Sequence, residues 1–233
     1  MDKASRSGAM TRRGRRPDGV AGDASIAGVP LQITTTFIAA AIVLGFFAGR
    51  DVASTSLINL PSLGSLDEVL RAFEPGGAAV TVTNPSSGWV VAAGLGVALV
   101  YALSVVAHEL GHLTAARLLG IDVTAVQLRA AGGFVEMDDD DLLTAGRLAW
   151  IAGAGPLVTS VLTLGAGVLL MALGWPLTDV PGSETGGAVA LGRVLSAAFM
   201  INLLGLVVNL LPVRALDGGH LLAAARLWRQ RRG

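Results

Sequence analysis

The chain has no cysteine among its 233 residues, a single tyrosine, and charge on only 15% of its positions. Without thiols, disulfides and thiolate metal sites are excluded, so any metal must be held by imidazole or carboxylate. Lys and Arg balance Asp and Glu at seventeen each, for a net charge of zero. That balance argues against nucleic acid as a partner. The missing charge is replaced by 52% hydrophobic residues and a mean hydropathy of +0.64. Such a composition is too apolar for an ordinary soluble domain and fits a chain embedded in a lipid bilayer.

Four stretches lack charge over a length near the ~20 residues that a bilayer crossing needs: Leu31–Gly49, Trp89–Ala107, Leu148–Leu173 and Val194–Val213. They predict an all-α polytopic membrane protein of about four transmembrane helices, the second continuing through "HELGHLTAARLL". Basic residues alternate loop by loop. Six precede Leu31, three lie between His112 and Leu148, and five follow Val213; the other two loops hold only Arg50, Arg71 and Arg193. Fourteen against three predicts a multi-pass cell-membrane protein with both termini and the middle loop in the cytoplasm. The first span reads as retained, because Phe47 and Asp51 spoil the small-residue pattern of a cleavage site.

Residues 1–25 are Arg-, Gly- and Ser-rich and predict a disordered basic cytoplasmic tail. A membrane domain over 26–228 and a basic end over 229–233 complete the organisation. "SIAGVPLQIT" reads as a short strand pair or an extended entry into the first span. In the external loop, Ser65 and Glu68 form a capping box for a helix over Ser65–Phe73, and "AAVTVT" reads as a strand. That loop is a surface connector or, in a sharper reading, a lid. On the cytoplasmic side, Val126–Leu128, the turn at Gly132 and Gly133, and Phe134–Met137 predict a small β-hairpin. The run Asp138–Asp141 resembles a metal trap, but consecutive aspartates are more simply a solvated loop.

The chemistry lies in "VVAHELGHLTAARLLG". Titratable groups are costly in a bilayer and mark function there. Residues four apart share one helix face, so His108 and His112 can offer two nitrogens to one metal ion. Glu109, rotated about 100° from His108, stands near that ion without having to bind it. This is the arrangement of a general base beside a water-activating metal. A catalytic zinc wants a third protein ligand. The second and fourth spans both run inward, which brings Asp217 and His220 of "NLLPVRALDGGH" to the depth of His108 and His112. Spacing does not decide between them.

"HELGH" followed by "NLLPVRALDGGHLL" resembles the site-2 protease family of intramembrane zinc metalloproteases. The resemblance covers about Ile26 to Trp228 and takes in "GVPLQIT", "AGGF" and "AGAGPL". It implies that Asp217 is the third ligand of a single Zn2+, with His220 in a supporting or structural role. It further implies that Asn209 meets the substrate or its oxyanion, an alternative being a helix–helix polar contact of the kind expected for Asn202. Gly132 and Gly133 would belong to a hairpin presenting an edge to an unwound transmembrane substrate, although "GGF" departs from the usual aliphatic after the glycines. Gly155 and Pro156 would serve close helix packing. Relatives in that family commonly continue past the LDG helix into further spans, whereas this sequence ends at "RLWRQRRG".

The expected activity is hydrolysis of peptide bonds in or near transmembrane segments of membrane-tethered proteins. Two rivals belong to other classes. A transporter or channel using the His/Glu/Asp cluster would scatter polar residues through the midplane of several spans. A substrate-binding protein without turnover would have lost a ligand or the base.

Overall fold

The computed structural model describes residues 20–54, 57–59, 81–83, 85–130, 132–137, 144–175 and 186–231. The helix expected over Ser65–Phe73 and the run Asp138–Asp141 lie outside these residues. Elements follow in the order β1 (Val20–Ile26), β2 (Val29–Thr34), α1 (Thr35–Ser54), β3 (Leu57–Asn59), β4 (Thr81–Thr83), α2 (Ser87–Leu118), β5 (Val123–Arg129), β6 (Gly132–Met137), α3 (Ala145–Ala172), α4 (Gly186–Asn209) and α5 (Asp217–Gln230).

Helices α1 to α4 are each long and apolar enough to cross a membrane. The outward faces of Ile42, Phe46, Leu95, Leu99, Leu164 and Val168 are all more than half exposed, as suits a lipid rather than a water boundary. Lipid tails reward no further burial, so such helices associate by close packing. A β-carbon at Gly45 of α1 would lie 2.7 Å from the Gly94 carbonyl of α2, and one at Gly94 would lie 2.8 Å from the Gly45 carbonyl. The two backbones touch there. Helix α4 runs alongside α2, with Gly186 against Trp89 and Val194 against Gly96. Lower down, Asn202 Nδ2 donates to Ser104 Oγ at 2.9 Å, the helix–helix contact expected of Asn202.

Two expected span limits move. The first helix begins at Thr35 and runs through Arg50 and Asp51, because Leu31–Thr34 is strand β2. The fourth covers Gly186–Asn209, so it contains Arg193 and stops before Pro212. Arg193 is tolerated there because its guanidinium pairs with Asp51 of α1. Helix α2 continues unbroken through the HELGH stretch, as expected, for 32 residues. At 1.5 Å per residue that is about 48 Å, well beyond a ~30 Å hydrocarbon core.

The expected hairpin is present as β5 and β6, but it does not stand alone. It joins a four-stranded sheet in the order β1-β2-β5-β6, with β2 and β5 parallel in the register Leu31↔Val126, Gln32↔Gln127 and Ile33↔Leu128. Parallel partners come from distant chain segments, which alternation within one segment cannot announce. Strand β1 begins at Val20, inside the stretch expected to be a tail up to residue 25, because pairing with β2 outweighs its polar composition. The β1–β2 turn takes positive φ at both Ala27 (50°) and Gly28 (78°), as a two-residue turn matched to strand twist requires. Of the strand read in "AAVTVT", β4 covers Thr81–Thr83 and pairs with β3.

The sheet is fastened to the bundle beside the HELGH turn. Thr34 Oγ1 accepts from Phe37 N at 3.3 Å, capping α1, and donates to Leu128 O at 2.7 Å. Phe37 stacks on Tyr101 with ring centroids 5.2 Å apart, and Tyr101 Oη donates to Ala130 O at 2.8 Å. Val29, Phe37, Tyr101, Leu113, Val126, Leu128 and Val135 form one buried cluster between sheet and α2.

Candidate metal centre

One turn of α2 carries His108, Glu109 and His112, all less than a tenth exposed. Two helices close on it. From α3, Thr159 Oγ1 lies 2.8 Å from His108 Nδ1, and Ile151 O lies 2.7 Å from His112 Nδ1. From the first residue of α5, the Asp217 carboxylate reaches both rings. Its Oδ2 is 3.1 Å from His108 Nε2 and its Oδ1 is 3.3 Å from His112 Nε2. The two Nε2 atoms are 3.1 Å from each other.

Hydrogen-bond chemistry fixes the proton positions. A carbonyl only accepts, so His112 Nδ1 carries the proton and Nε2 is left with its lone pair. Thr159 gives its own hydrogen to Gly155 O at 3.2 Å, which leaves its oxygen to accept from His108 Nδ1. Two imidazole lone pairs and a carboxylate therefore converge on one small space. Asp217 Oδ2 is buried there without an aligned hydrogen-bond partner. Such a gathering of acceptors repels itself unless a cation stands among them.

The dimensions fit zinc. Ligands about 2.0–2.1 Å from a tetrahedral ion stand about 3.3 Å apart, and the three separations are 3.1, 3.1 and 3.3 Å. Glycine at 155 keeps the space open, since a β-carbon there would lie 2.7 Å from His108 Nε2 and overlap His112 Nε2. Burial pushes the Asp217 carboxyl up, but hydrogen bonds and charge from protonated imidazoles would bring it down to about 2. With a metal ion or an imidazolium facing it, Asp217 is ionised at neutral pH. The same three residues are the group of His, Asp and Glu side chains able to share one ion among the described residues.

Glu109 does not join that convergence, and its carboxyl lies against the sheet. A β-carbon at Gly133 would collide with Glu109 Cγ and Cδ, so the bare backbone of β6 lies against this side chain. Gly132, with φ of 128°, makes the bend that starts β6. Asn209, at the end of α4, is half-buried with Nδ2 3.5 Å from His108 Nε2. His220 is exposed one turn beyond Asp217 and does not join the cluster.

The structure thus gathers His108, Glu109, His112, Asp217, Asn209 and Gly133 around one point. It leaves His220 outside. Sequence reasoning missed the α3 contribution: Thr159 and the Ile151 carbonyl orient the two rings, and Gly155, read only as a packing residue, is a wall of the site. The signal available for Thr159 was a hydroxyl four residues after a glycine on an otherwise apolar helix.

Residues 96–183, which contain His108, Glu109 and His112, match Peptidase family M50. The "Putative zinc metalloprotease sll0528" of Synechocystis sp. is 36% identical over 134 residues, 58% of this chain and 31% of that protein. The "Putative zinc metalloprotease Rip3" of Mycobacterium tuberculosis is 34% identical over 142 residues, 61% of this chain and 33% of that protein. The chain thus spans about a third of the length of these curated relatives. Among solved structures, the Site-2 Protease from Methanocaldococcus jannaschii aligns over 88% of this chain and 70% of its own, with 22% identity and a TM-score of 0.48. The HELGH turn and helix α3 thus lie in a stretch that matches Peptidase family M50, and the chain is similar over part of its length to curated putative zinc metalloproteases.

Proposed function

We propose that the protein is an intramembrane zinc endopeptidase that hydrolyses peptide bonds in or near the transmembrane segments of membrane-tethered proteins. The observation that carries this reading is the placement of Glu109: buried, one residue from a convergent His/His/Asp cluster that it does not join, with its carboxyl against an edge strand. His108, His112 and Asp217 would hold one Zn2+, whose chemistry is Lewis-acid activation of water and of a scissile carbonyl. Thr159 and Ile151 O keep both imidazole rings in the tautomer that turns Nε2 inward.

Glu109 takes the proton of the attacking water on its carboxylate and returns it to the leaving amine. Asn209 Nδ2 is available to donate to the carbonyl oxygen of the substrate. A substrate helix hides its carbonyls in its own hydrogen bonds and must unwind to be cut. Strand β6 is an edge of its sheet, so an opened segment can add to it as a further strand. Gly133 would then set that strand beside Glu109. The alternation of basic residues supports a cell-membrane protein with both termini and the sheet on the cytoplasmic side.

The test is a single-span protein reconstituted with this chain in vesicles. Cleavage should appear with zinc, stop on stripping the metal with a chelator, and return when zinc is restored. Cleavage that persists in the stripped protein would refute a metallopeptidase.

A further inference from the structure

Helix α5 has chemistry that the site does not use. It is 14 residues long, about 21 Å, begins at Asp217 inside the site, and packs on α3. A return along α4 would pack those two helices together, so α5 instead carries on past the end of α4. Between Met200 and Gly233 the only acid is Asp217, against Arg214, Arg226, Arg229, Arg231 and Arg232. Arg226 and Arg229 are exposed. So are Leu222 (38%), Leu227 (39%) and Trp228 (58%), and Leu210, Leu211 and Val213 just before the helix are about half exposed.

Tryptophan and leucine beside arginine on an exposed helix fit the boundary between acyl chains and headgroups. The charge, all of one sign, matches anionic phosphates and would repel a basic partner. We infer that α5 docks on the anionic lipid surface of the same bilayer at the membrane face nearest the site, and that this docking holds Asp217 in place. The second half rests on the reading of Asp217 as a metal ligand.

The coupling has a structural route. A β-carbon at Gly218 would overlap the carbonyls of Leu210 and Leu211, and one at Gly219 would lie 2.9 Å from Arg214 Cα and overlap Val213 O. Backbone bonds from Leu216 N to Val213 O (2.9 Å) and from Gly219 N to Leu216 O (3.0 Å) close the same turn. The first turn of α5 is therefore locked to the segment before it. A tilt of α5 reaches the Asp217 carboxylate with little slack to absorb it.

The absence of cysteine makes the test direct. The full chain carrying Gln230→Cys, labelled with an environment-sensitive dye, is reconstituted into phosphatidylcholine vesicles with or without phosphatidylglycerol. The dye should move into a more apolar setting only with the anionic lipid, and added salt should reverse the move. An arginine near an anionic surface adds about fivefold to binding, so Arg226→Gln with Arg229→Gln should weaken docking by about 25-fold. Zinc competition with a chelator, measured on the same vesicles, should give a several-fold higher apparent zinc affinity in anionic lipid, lost in the double variant. Equal dye signals in both lipids would overturn the docking. A dye signal in native membranes but in neither vesicle would overturn it in favour of a protein partner. Docking without any change in zinc affinity would overturn the coupling. Absence of zinc from the parent in every lipid would instead refute the metal reading itself.

Discussion

The Gly133 backbone stands against the Glu109 carboxyl, and no side chain fits between them. The sheet therefore touches the proposed base through bare backbone, and strand position and base position are set together. Overpacking of this kind costs about 1–3 kcal/mol. Gly133→Ala is expected to keep its zinc, because Glu109 does not join the ligand cluster, and to lose cleavage by about tenfold or more. Metal content and substrate turnover on one preparation check this.

Gly155 offers the opposite separation of effects. Its β-carbon would sit among the ligand nitrogens, whereas one at Gly153 on the same helix would meet nothing within 4 Å. Gly155→Ala should lose most bound zinc. Gly153→Ala should bind zinc as the parent does, and metal analysis of the two proteins decides.

The third ligand is tested by a pair of substitutions. Asp217→Ala should lose most of the metal, while His220→Ala, altering an exposed ring outside the cluster, should keep the metal and at least part of the activity. The reverse result would exchange their roles.

Orientation is tested by labelling. Single cysteines at Ser5 and Gln230 in a chain that has none of its own should resist an impermeant reagent applied to intact cells. They should react once the membrane is opened.

The helical part of the fold was legible because each span contains a long uncharged run, and the HELGH turn because His108 and His112 sit at helical spacing at the end of one of those runs. The span ends were less legible. Leu31–Thr34 is uncharged whether it is strand or helix, and Arg193 reads as a terminus in the sequence because its partner Asp51 lies on another helix. The β2–β5 pairing joins residues 95 apart, as in Gln32 Oε1 accepting from Gln127 Nε2 at 2.7 Å, and no local pattern predicts it. Within the site, the spacing in α2 is enough to place His108, Glu109 and His112 on one turn. The α3 groups stayed hidden because a threonine, a carbonyl and a glycine carry no signature until the fold brings them to the rings.

In the proposed mechanism Glu109 is a base that does not bind the metal. Glu109→Gln keeps the size and polarity of the side chain but cannot accept the proton of water near neutral pH. Losing a general base typically costs about 10²–10⁴-fold. Zinc content and cleavage of a reconstituted single-span substrate, measured on the same preparation of this variant, test the claim most directly. The expected result is near-parental zinc with uncut substrate accumulating. Cleavage at near-parental rate, or loss of the zinc, would contradict it.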